Sequence, residues 1–250
     1  MSALITENAI VPNAIVPNAI VPNAIVPNAI VPNALSPSTL DSGSLAAIQA
    51  TGDRGDLSRM FLKYVIGCAF DPTQSFSFSW TDASNVVHNE TYWGIAGIVP
   101  NWANAPLSSD SKQRLITSCL LARTNYSGTS VTISMRSPQN PLKKDVTDPE
   151  LTSYPSIEGA FWGNIFASSP GLYACYDATN VAHSRAALRE CATGHLTSLG
   201  VVLPCGPIAL TGSCASVCGS FDSTIGTYTA CNDPPTGSTT TQALVTIGLP

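Results

Sequence analysis

Eight cysteines are the residues best suited to chemistry in this 250-residue chain. An even number, with six of them inside 57 residues, is typical of a disulfide framework formed in an oxidising compartment. A zinc site and a set of reduced intracellular thiols are the alternatives. No Cys-x-x-Cys pair occurs, however, and neither His183 nor His195 is followed four residues later by a His or Cys. We therefore expect disulfides and no metal, with the pairing to be made among Cys68, Cys119, Cys175, Cys191, Cys205, Cys214, Cys218 and Cys231.

The pattern around two of these cysteines predicts one specific bond. Cys68 and Cys119 each fall on the apolar face of a predicted helix, so we expect them to bond to each other. Closing a loop of about fifty residues would contribute roughly 4 kcal/mol. For the other six cysteines short separations favour the pairs Cys205–Cys214, Cys218–Cys231 and Cys175–Cys191.

Glu158 is the strongest candidate for acid–base chemistry, because it is a carboxylate within the apolar, aromatic run 157–166. It is either a structural partner of an arginine or a functional acid whose pKa is raised by desolvation. The second interpretation is a secreted hydrolase, which needs another carboxylate on the same groove, drawn from Asp145, Asp148 or Glu150. No catalytic, nucleotide or metal motif accompanies these residues, so the sequence favours a non-enzymatic protein without a cofactor.

Aromatic residues offer a third kind of site, a carbohydrate-binding platform. This hypothesis requires at least two of four rings to be exposed on one surface, the candidates being Trp80, Tyr92, Trp93 and Trp102. Three of them belong to a predicted hairpin, in which residues 74–80 alternate apolar and polar, Asp82–Asn85 supply the turn, and 86–93 return. Alternation predicts that Phe76, Phe78 and Trp80 face the core.

Composition limits the partners. Charged residues make up 11% of the chain, against about 25% in typical soluble proteins. The net charge of −5 argues against nucleic acid and anionic membranes, which attract Lys and Arg clusters. No apolar run is long enough for a membrane span. The first residues lack the features of a secretion signal, so we expect export to use a leader outside this sequence or another route.

A repeat tract occupies the N-terminus. Residues 8–32 are five copies of Asn-Ala-Ile-Val-Pro, and 33–37 are a sixth, altered copy. Proline at every fifth position excludes a continuous α-helix, so we expect an extended tract or a coil with a five-residue period. Three hypotheses follow: a stalk, a small solenoid of the pentapeptide-repeat kind, or a strand that adds to the sheet edge of another copy or another protein and builds a fibre.

The remaining patterns predict the domain plan. We expect residues 1–37 to form the repeat tract, 38–53 a linker, and 54–250 a compact domain whose part 175–231 is cysteine-rich. Helices are predicted from an Asp56 cap and from Ser111 to Arg123. The expected fold is α+β, mainly β, with an antiparallel sheet or sandwich, two or three helices and stabilising disulfides. The C-terminal run that ends the chain reads as an edge strand.

Several segments together carry a resemblance. These are the repeats, Leu-Lys-Tyr-Val-Ile-Gly-Cys (62–68), Cys-Leu-Leu-Ala-Arg-Thr-Asn (119–125) and Glu-Gly-Ala-Phe-Trp-Gly-Asn (158–164). In their order, across most of 8–231, the chain resembles a group of uncharacterised exported proteins of myxobacteria. The resemblance implies export but no activity. With the cysteines and repeats, it predicts an extracellular or cell-surface structural or interaction protein, which associates with itself through Asn8–Pro37 or with another surface protein.

Overall fold

The computed structural model describes residues 5–6, 27–234 and 240–250, and these form an α+β structure. The helices are α1 (Pro27–Ile30), α2 (Ser42–Gln49), α3 (Gly52–Ala69), α4 (Asp110–Ala122), α5 (Glu150–Ser153), α6 (Val181–Ala186) and α7 (Cys214–Val217). The strands are β1 (Ile5–Thr6), β2 (Ser75–Thr81), β3 (Val87–Trp93), β4 (Ile133–Arg136), β5 (Ser156–Asn164), β6 (Gly171–Tyr176), β7 (His195–Leu196), β8 (Val202–Leu203), β9 (Ala209–Ser213), β10 (Phe221–Asp222), β11 (Thr227–Tyr228), β12 (Cys231–Asn232), β13 (Thr240–Thr241) and β14 (Leu244–Leu249).

A six-stranded sheet with the order β1-β4-β14-β5-β6-β9 forms the centre of the fold. All neighbouring strands run antiparallel except β6 and β9, which confirms the mainly antiparallel sheet. The C-terminal strand β14 lies in the interior, between β4 and β5, so the edge-strand expectation is wrong. The reason is visible in its sequence, Leu-Val-Thr-Ile-Gly-Leu, because a strand buried on both faces reads as a nearly continuous apolar run.

Helices cover one face of this sheet. Phe161, Val245 and Ile247 belong to the main core together with the buried residues of α3 and α4. Helix α4 begins close to the predicted position, and the Ser109 hydroxyl accepts a hydrogen bond from the Lys112 amide. Helix α3 begins at Gly52, four residues before the predicted cap at Asp56, which instead forms an ion pair with Arg59 within the helix.

The cysteine-rich segment covers the other face. Trp162 and Leu244 are fully buried there against Tyr228, Cys214 and Cys231. The covering layer consists of short two-stranded ladders, β10–β11 and β12–β13, rather than a second broad sheet. Because helices lie on one side and this layer on the other, the central strands have no solvent-facing side.

The predicted hairpin is confirmed. Strands β2 and β3 pair in register from Ser75↔Trp93 to Thr81↔Val87, and Asn85 adopts a positive φ of 62° in the turn. Phe76 and Phe78 are buried, while the serines between them are exposed. This alternation packs the hairpin's apolar face against the helical layer.

The segment between the repeats and α3 differs from the expected linker. Residues 38–53 contain α2, whose cap Asp41 accepts hydrogen bonds from the Gly43 and Ser44 amides. Ala47 and Ile48 are fully buried in the main core. The apolar run Leu-Ala-Ala-Ile inside this otherwise polar segment explains the difference, because it gives α2 a face to bury.

The described part of the repeat tract also differs from an extended chain. Residues 27–30 form the helical turn α1 with Pro27 at its first position, where its missing N–H carries no penalty. The expectations for the shape of residues 7–26 lie outside the described residues.

All eight cysteines are paired in four disulfides. The predicted bonds Cys68–Cys119 and Cys218–Cys231 are confirmed. The predicted bonds Cys175–Cys191 and Cys205–Cys214 are wrong, because the chain forms Cys175–Cys214 and Cys191–Cys205. The physical reason is the parallel pairing of β6 with β9, which places Tyr176 opposite Ser213 and so brings the start of α7 to Cys175.

Removing the Cys68–Cys119 bond tests the role of loop closure. We expect the double variant Cys68→Ala/Cys119→Ala to lose about 4 kcal/mol of unfolding free energy, because the bond closes a loop with a sequence separation of 51. The matched variant Cys218→Ala/Cys231→Ala, with a separation of 13, should lose about 3 kcal/mol. Urea denaturation measures both, and no loss in the first variant would contradict the account.

Candidate functional site

Glu158 is sealed inside the protein. It lies on β5 where the register with β14 shifts, and its Oε2 accepts a 2.8 Å hydrogen bond from Nε of Arg189. Both side chains are fully buried. The same guanidinium donates to the carbonyl oxygens of Ala122 and Thr124 at 2.9 Å each. Arg189 therefore joins β5 to the C-terminal end of α4, where a cation is favoured by the helix dipole.

This arrangement does not meet the requirement of the hydrolase hypothesis. A glycosidase needs two carboxyl groups facing one groove, and Glu158 pairs with an arginine in the core. Glu150 is also buried, where its oxygens accept hydrogen bonds from Lys144 Nζ (2.8 Å) and the Ser134 hydroxyl (2.6 Å). Asp145 is exposed, and hydrogen bonds from the backbone and side chain of Thr147 lower its pKa. The Oδ2 atom of Asp148 lies 3.9 Å from Nζ of Lys144, the same ammonium group that binds Glu150.

Gly159 explains why β5 can run so close to β6. A Cβ at Gly159 would lie 2.0 Å from the Cys175 carbonyl oxygen, and one at Gly163 would lie 2.1 Å from that of Gly171. Gly163 also has a φ of 138°, a conformation that favours glycine. Both glycines therefore allow the backbones of β5 and β6 to approach closely, and their role is packing.

The four aromatic candidates do not form a platform. Trp102 and Tyr92 are buried, and burial, aided by the nearby Glu90 carboxylate, raises the pKa of Tyr92. Trp80 has Arg59 over its ring at 3.6 Å and stacks on a second ring, that of His88, with centroids 4.4 Å apart. Trp93 alone among the four is strongly exposed, at 59%. The carbohydrate-binding hypothesis required two rings on one surface.

A polar groove of about 370 Å³ lies at the start of α4. Arg114 donates to Asp110 (2.8 Å) and to Asp233 (3.0 Å), which neutralises its charge within the protein. Burial alone would lower the pKa of Arg114, but these hydrogen bonds raise it overall. The groove thus offers hydroxyl and amide groups beside one carboxylate charge in excess of the guanidinium. Its lining is Asp110, Ser111, Arg114, Gln139, Thr240, Thr241 and Gln242.

Two disulfides meet beneath the sheet. The sulfur atoms of Cys175, Cys218 and Cys231 all lie within 4.8 Å of one another, and those of Cys175 and Cys218 are 3.6 Å apart. Each of these sulfurs is bonded in a disulfide, so none is a thiolate that could bind zinc. The cluster is part of the covering layer.

The end of the repeat tract forms the most specific contact between the tract and the rest of the chain. Ile30 and Leu35 occupy the third position of the fifth and sixth copies, and both are buried, at 2% and 1% exposure. The Leu35 amide donates to the Trp102 carbonyl (2.7 Å), and Nε1 of Trp102 donates to the Asn33 carbonyl (3.1 Å). The third residue of a repeat is therefore an apolar side chain that can fill a pocket. We name this contact the repeat anchor.

Sequence patterns do not identify the anchor residues. They offer Trp102 as a candidate sugar platform and separate the repeats from the domain. The replacement of Ile by Leu and Val by Ser in the sixth copy is the one signal that this copy differs in role.

Comparison with protein-family models, curated proteins and solved structures gave no match for this chain. Within the described ranges, none of the helices has the length and apolar character needed to cross a bilayer.

Loss of Arg189 tests whether Glu158 is structural. We expect Arg189→Met to lower the unfolding free energy by about 3–5 kcal/mol, because it leaves a buried carboxylate unpaired. The double variant Glu158→Leu/Arg189→Met should recover most of this loss, and Lys63→Met, at an exposed position of α3, is the control. A single-variant loss as small as that of the control, measured by chemical denaturation, would contradict the structural role.

Truncating the anchor side chain tests the contact between tract and head. We expect Leu35→Ala to cost about 2–5 kcal/mol, the range for a buried leucine. Leu199→Ala, which removes the same atoms from a side chain that is 88% exposed, should change stability by less than about 0.5 kcal/mol. Equal midpoints of thermal unfolding for the two variants would show that the anchor is not packed.

Proposed function

We propose that this is an extracellular or cell-surface structural protein that assembles with itself through its N-terminal repeats. Residues 28–250, with β1 (Ile5–Thr6) in their central sheet, would be the head, and the four copies in residues 8–27 would be the assembly element. The repeat anchor is the observation that carries the proposal. Because Ile30 and Leu35 are buried in the core, the C-terminal end of the tract has a fixed position on the head, and this supports a role in assembly for the copies before it.

The identical copies that precede the anchor supply the driving force. Each contains an Ile-Val pair and no charge, so each repeats the apolar side chain that the fifth copy buries as Ile30. An exposed linker is normally polar. Apolar repeats that are attached to a stable head favour burial against another surface, since removing branched side chains from water contributes about 25 cal/mol per Å².

The compartment follows from the disulfides and the surface. Four disulfides without a free cysteine are typical of oxidising compartments, and the low charge is compatible with them. The resemblance to exported myxobacterial proteins points the same way. The sealed Glu158 and the covered aromatic rings favour an interaction protein over the hydrolase and the sugar-binding module.

Sedimentation velocity of the full chain over a concentration series tests the proposal. We expect the wild type to form larger species as concentration rises. The variant Ile10→Ser/Ile15→Ser/Ile20→Ser, which keeps the length and every proline of the tract, should stay monomeric with an unchanged unfolding midpoint. Assembly should be lost because the variant replaces the apolar isoleucine side chains of three copies.

The matched control changes the asparagine of the same copies, as Asn8→Ser/Asn13→Ser/Asn18→Ser, and should assemble like the wild type. A wild type that is monomeric at all concentrations would overturn the proposal. So would an isoleucine variant that assembles as well as the wild type.

A further inference from the structure

An unusually apolar hairpin projects from the head. Strands β7 and β8 pair through His195↔Leu203 and Leu196↔Val202, and we name residues 195–203 the apolar hairpin. It contains five exposed large apolar side chains, of which Leu199 at its tip is 88% exposed and Val201 is 52% exposed. The other exposed large apolar residues of the described chain lie on or beside β3 (Val86, Val87, Trp93 and Ile95) or singly at Val146, Leu188 and Phe221. The five of the hairpin are Leu196, Leu199, Val201, Val202 and Leu203.

The turn of the hairpin is built to present these side chains. The Thr197 amide donates to the Val201 carbonyl (2.9 Å), and the Gly200 amide donates to the Thr197 carbonyl (3.0 Å). Gly200 has a φ of 78°, as expected where a three-residue loop closes a hairpin with a left-handed residue. Leu199 is thereby held at the tip by an ordered turn.

The base of the hairpin is fixed to the body. The Cys191–Cys205 disulfide closes the chain on either side of it. The His195 ring stacks on Tyr126 with centroids 4.0 Å apart, and its Nδ1 lies 2.7 Å from a Glu190 carboxylate oxygen. An apolar ribbon with a rigid base can bind a partner with little loss of conformational entropy.

Both faces of the ribbon are open. Val202 and Leu203 are neighbours on β8 and so point to opposite faces, yet both are exposed. No Asp, Glu, Lys or Arg occurs between Glu190 and Asp222, so the hairpin itself carries none of the charges that normally protect an exposed strand edge. Such a surface fits an uncharged, apolar partner rather than a charged one.

The repeats of this chain have that chemistry. Ile30 shows that the third residue of a copy enters an apolar pocket of the head, and the Val31 carbonyl of the same copy accepts a hydrogen bond from the Leu107 amide (2.9 Å). A copy therefore binds through one apolar side chain and a nearby backbone group. The hairpin offers exposed Leu and Val side chains, and its two strands pair with no further strand of the described chain, so each has an outer edge to which a strand could add.

We propose that the apolar hairpin of one copy of the chain binds the Asn-Ala-Ile-Val-Pro units within residues 8–27 of a second copy. Each chain carries one such hairpin but four of these units before the fifth copy, so a chain cannot satisfy its own units with its own hairpin. Several weak contacts between copies add up through multivalency. This inference rests on the proposed function and names the surface that receives the repeats.

The test uses the full chain with two surface variants, each of which replaces two exposed apolar side chains by serine. The hairpin variant is Leu199→Ser/Val201→Ser, and the control is Val87→Ser/Val146→Ser, whose side chains are 60% and 65% exposed elsewhere. The first measurement is sedimentation velocity. The second is fluorescence anisotropy with a labelled synthetic peptide of three Asn-Ala-Ile-Val-Pro units. We expect the hairpin variant to bind the peptide, and to bind itself, at least about tenfold more weakly than the wild type does. The control should behave like the wild type.

The other outcomes overturn the inference in distinguishable ways. If the hairpin variant assembles and binds peptide like the wild type while the isoleucine variant of the repeats does not assemble, the inference fails and the proposed function stands. If wild type is monomeric, both fail. If the protein is monomeric and its hairpin amides are protected from hydrogen exchange only when the repeats are intact, the contact lies within one chain and the inference fails. If the hairpin variant loses binding to phosphatidylcholine vesicles while its peptide binding is unchanged, the hairpin binds a lipid surface and the inference fails.

Discussion

The burial of the sheet's second face beneath a disulfide-bonded layer is the constraint on which this structure depends. Strand β14 is apolar along its whole length, so the fold requires cover on both sides of the sheet. The covering segment has only two-residue strands and little core of its own. The bond Cys175–Cys214 ties this segment to β6, and Cys218–Cys231 closes the segment on itself over Trp162 and Leu244.

The opposite face shows how the repeats and the head become one unit. Helices α3 and α4 cover it, and the buried Arg189 joins the end of α4 to β5. Trp102 connects this core to the repeat tract. Its ring packs edge to face on Phe166, and its carbonyl oxygen accepts a hydrogen bond from the Leu35 amide. The last copies of the tract are thus part of the same hydrophobic core.

Local patterns predicted the local structure well. Period-two alternation identified the β2–β3 hairpin, and helical spacing placed Cys68 and Cys119 on facing surfaces and so identified their bond. What depended on contacts between distant segments was not predictable. The interior place of β14, the Cys175–Cys214 bond and the partner of Glu158 all follow from strand order, which no local pattern encodes. The exposure of the apolar hairpin was also hidden, because an apolar run reads alike whether it is buried or not.

The account depends most directly on the cysteines being oxidised in the native protein. Mass spectrometry of native material, alkylated without a reductant and then digested, measures this. We expect no alkylated cysteine and disulfide-linked peptides that join Cys175 to Cys214 and Cys191 to Cys205. Alkylation of all eight sulfurs on a folded chain would contradict this, because the covering layer would then need another source of stability and the proposed extracellular location would lose its basis.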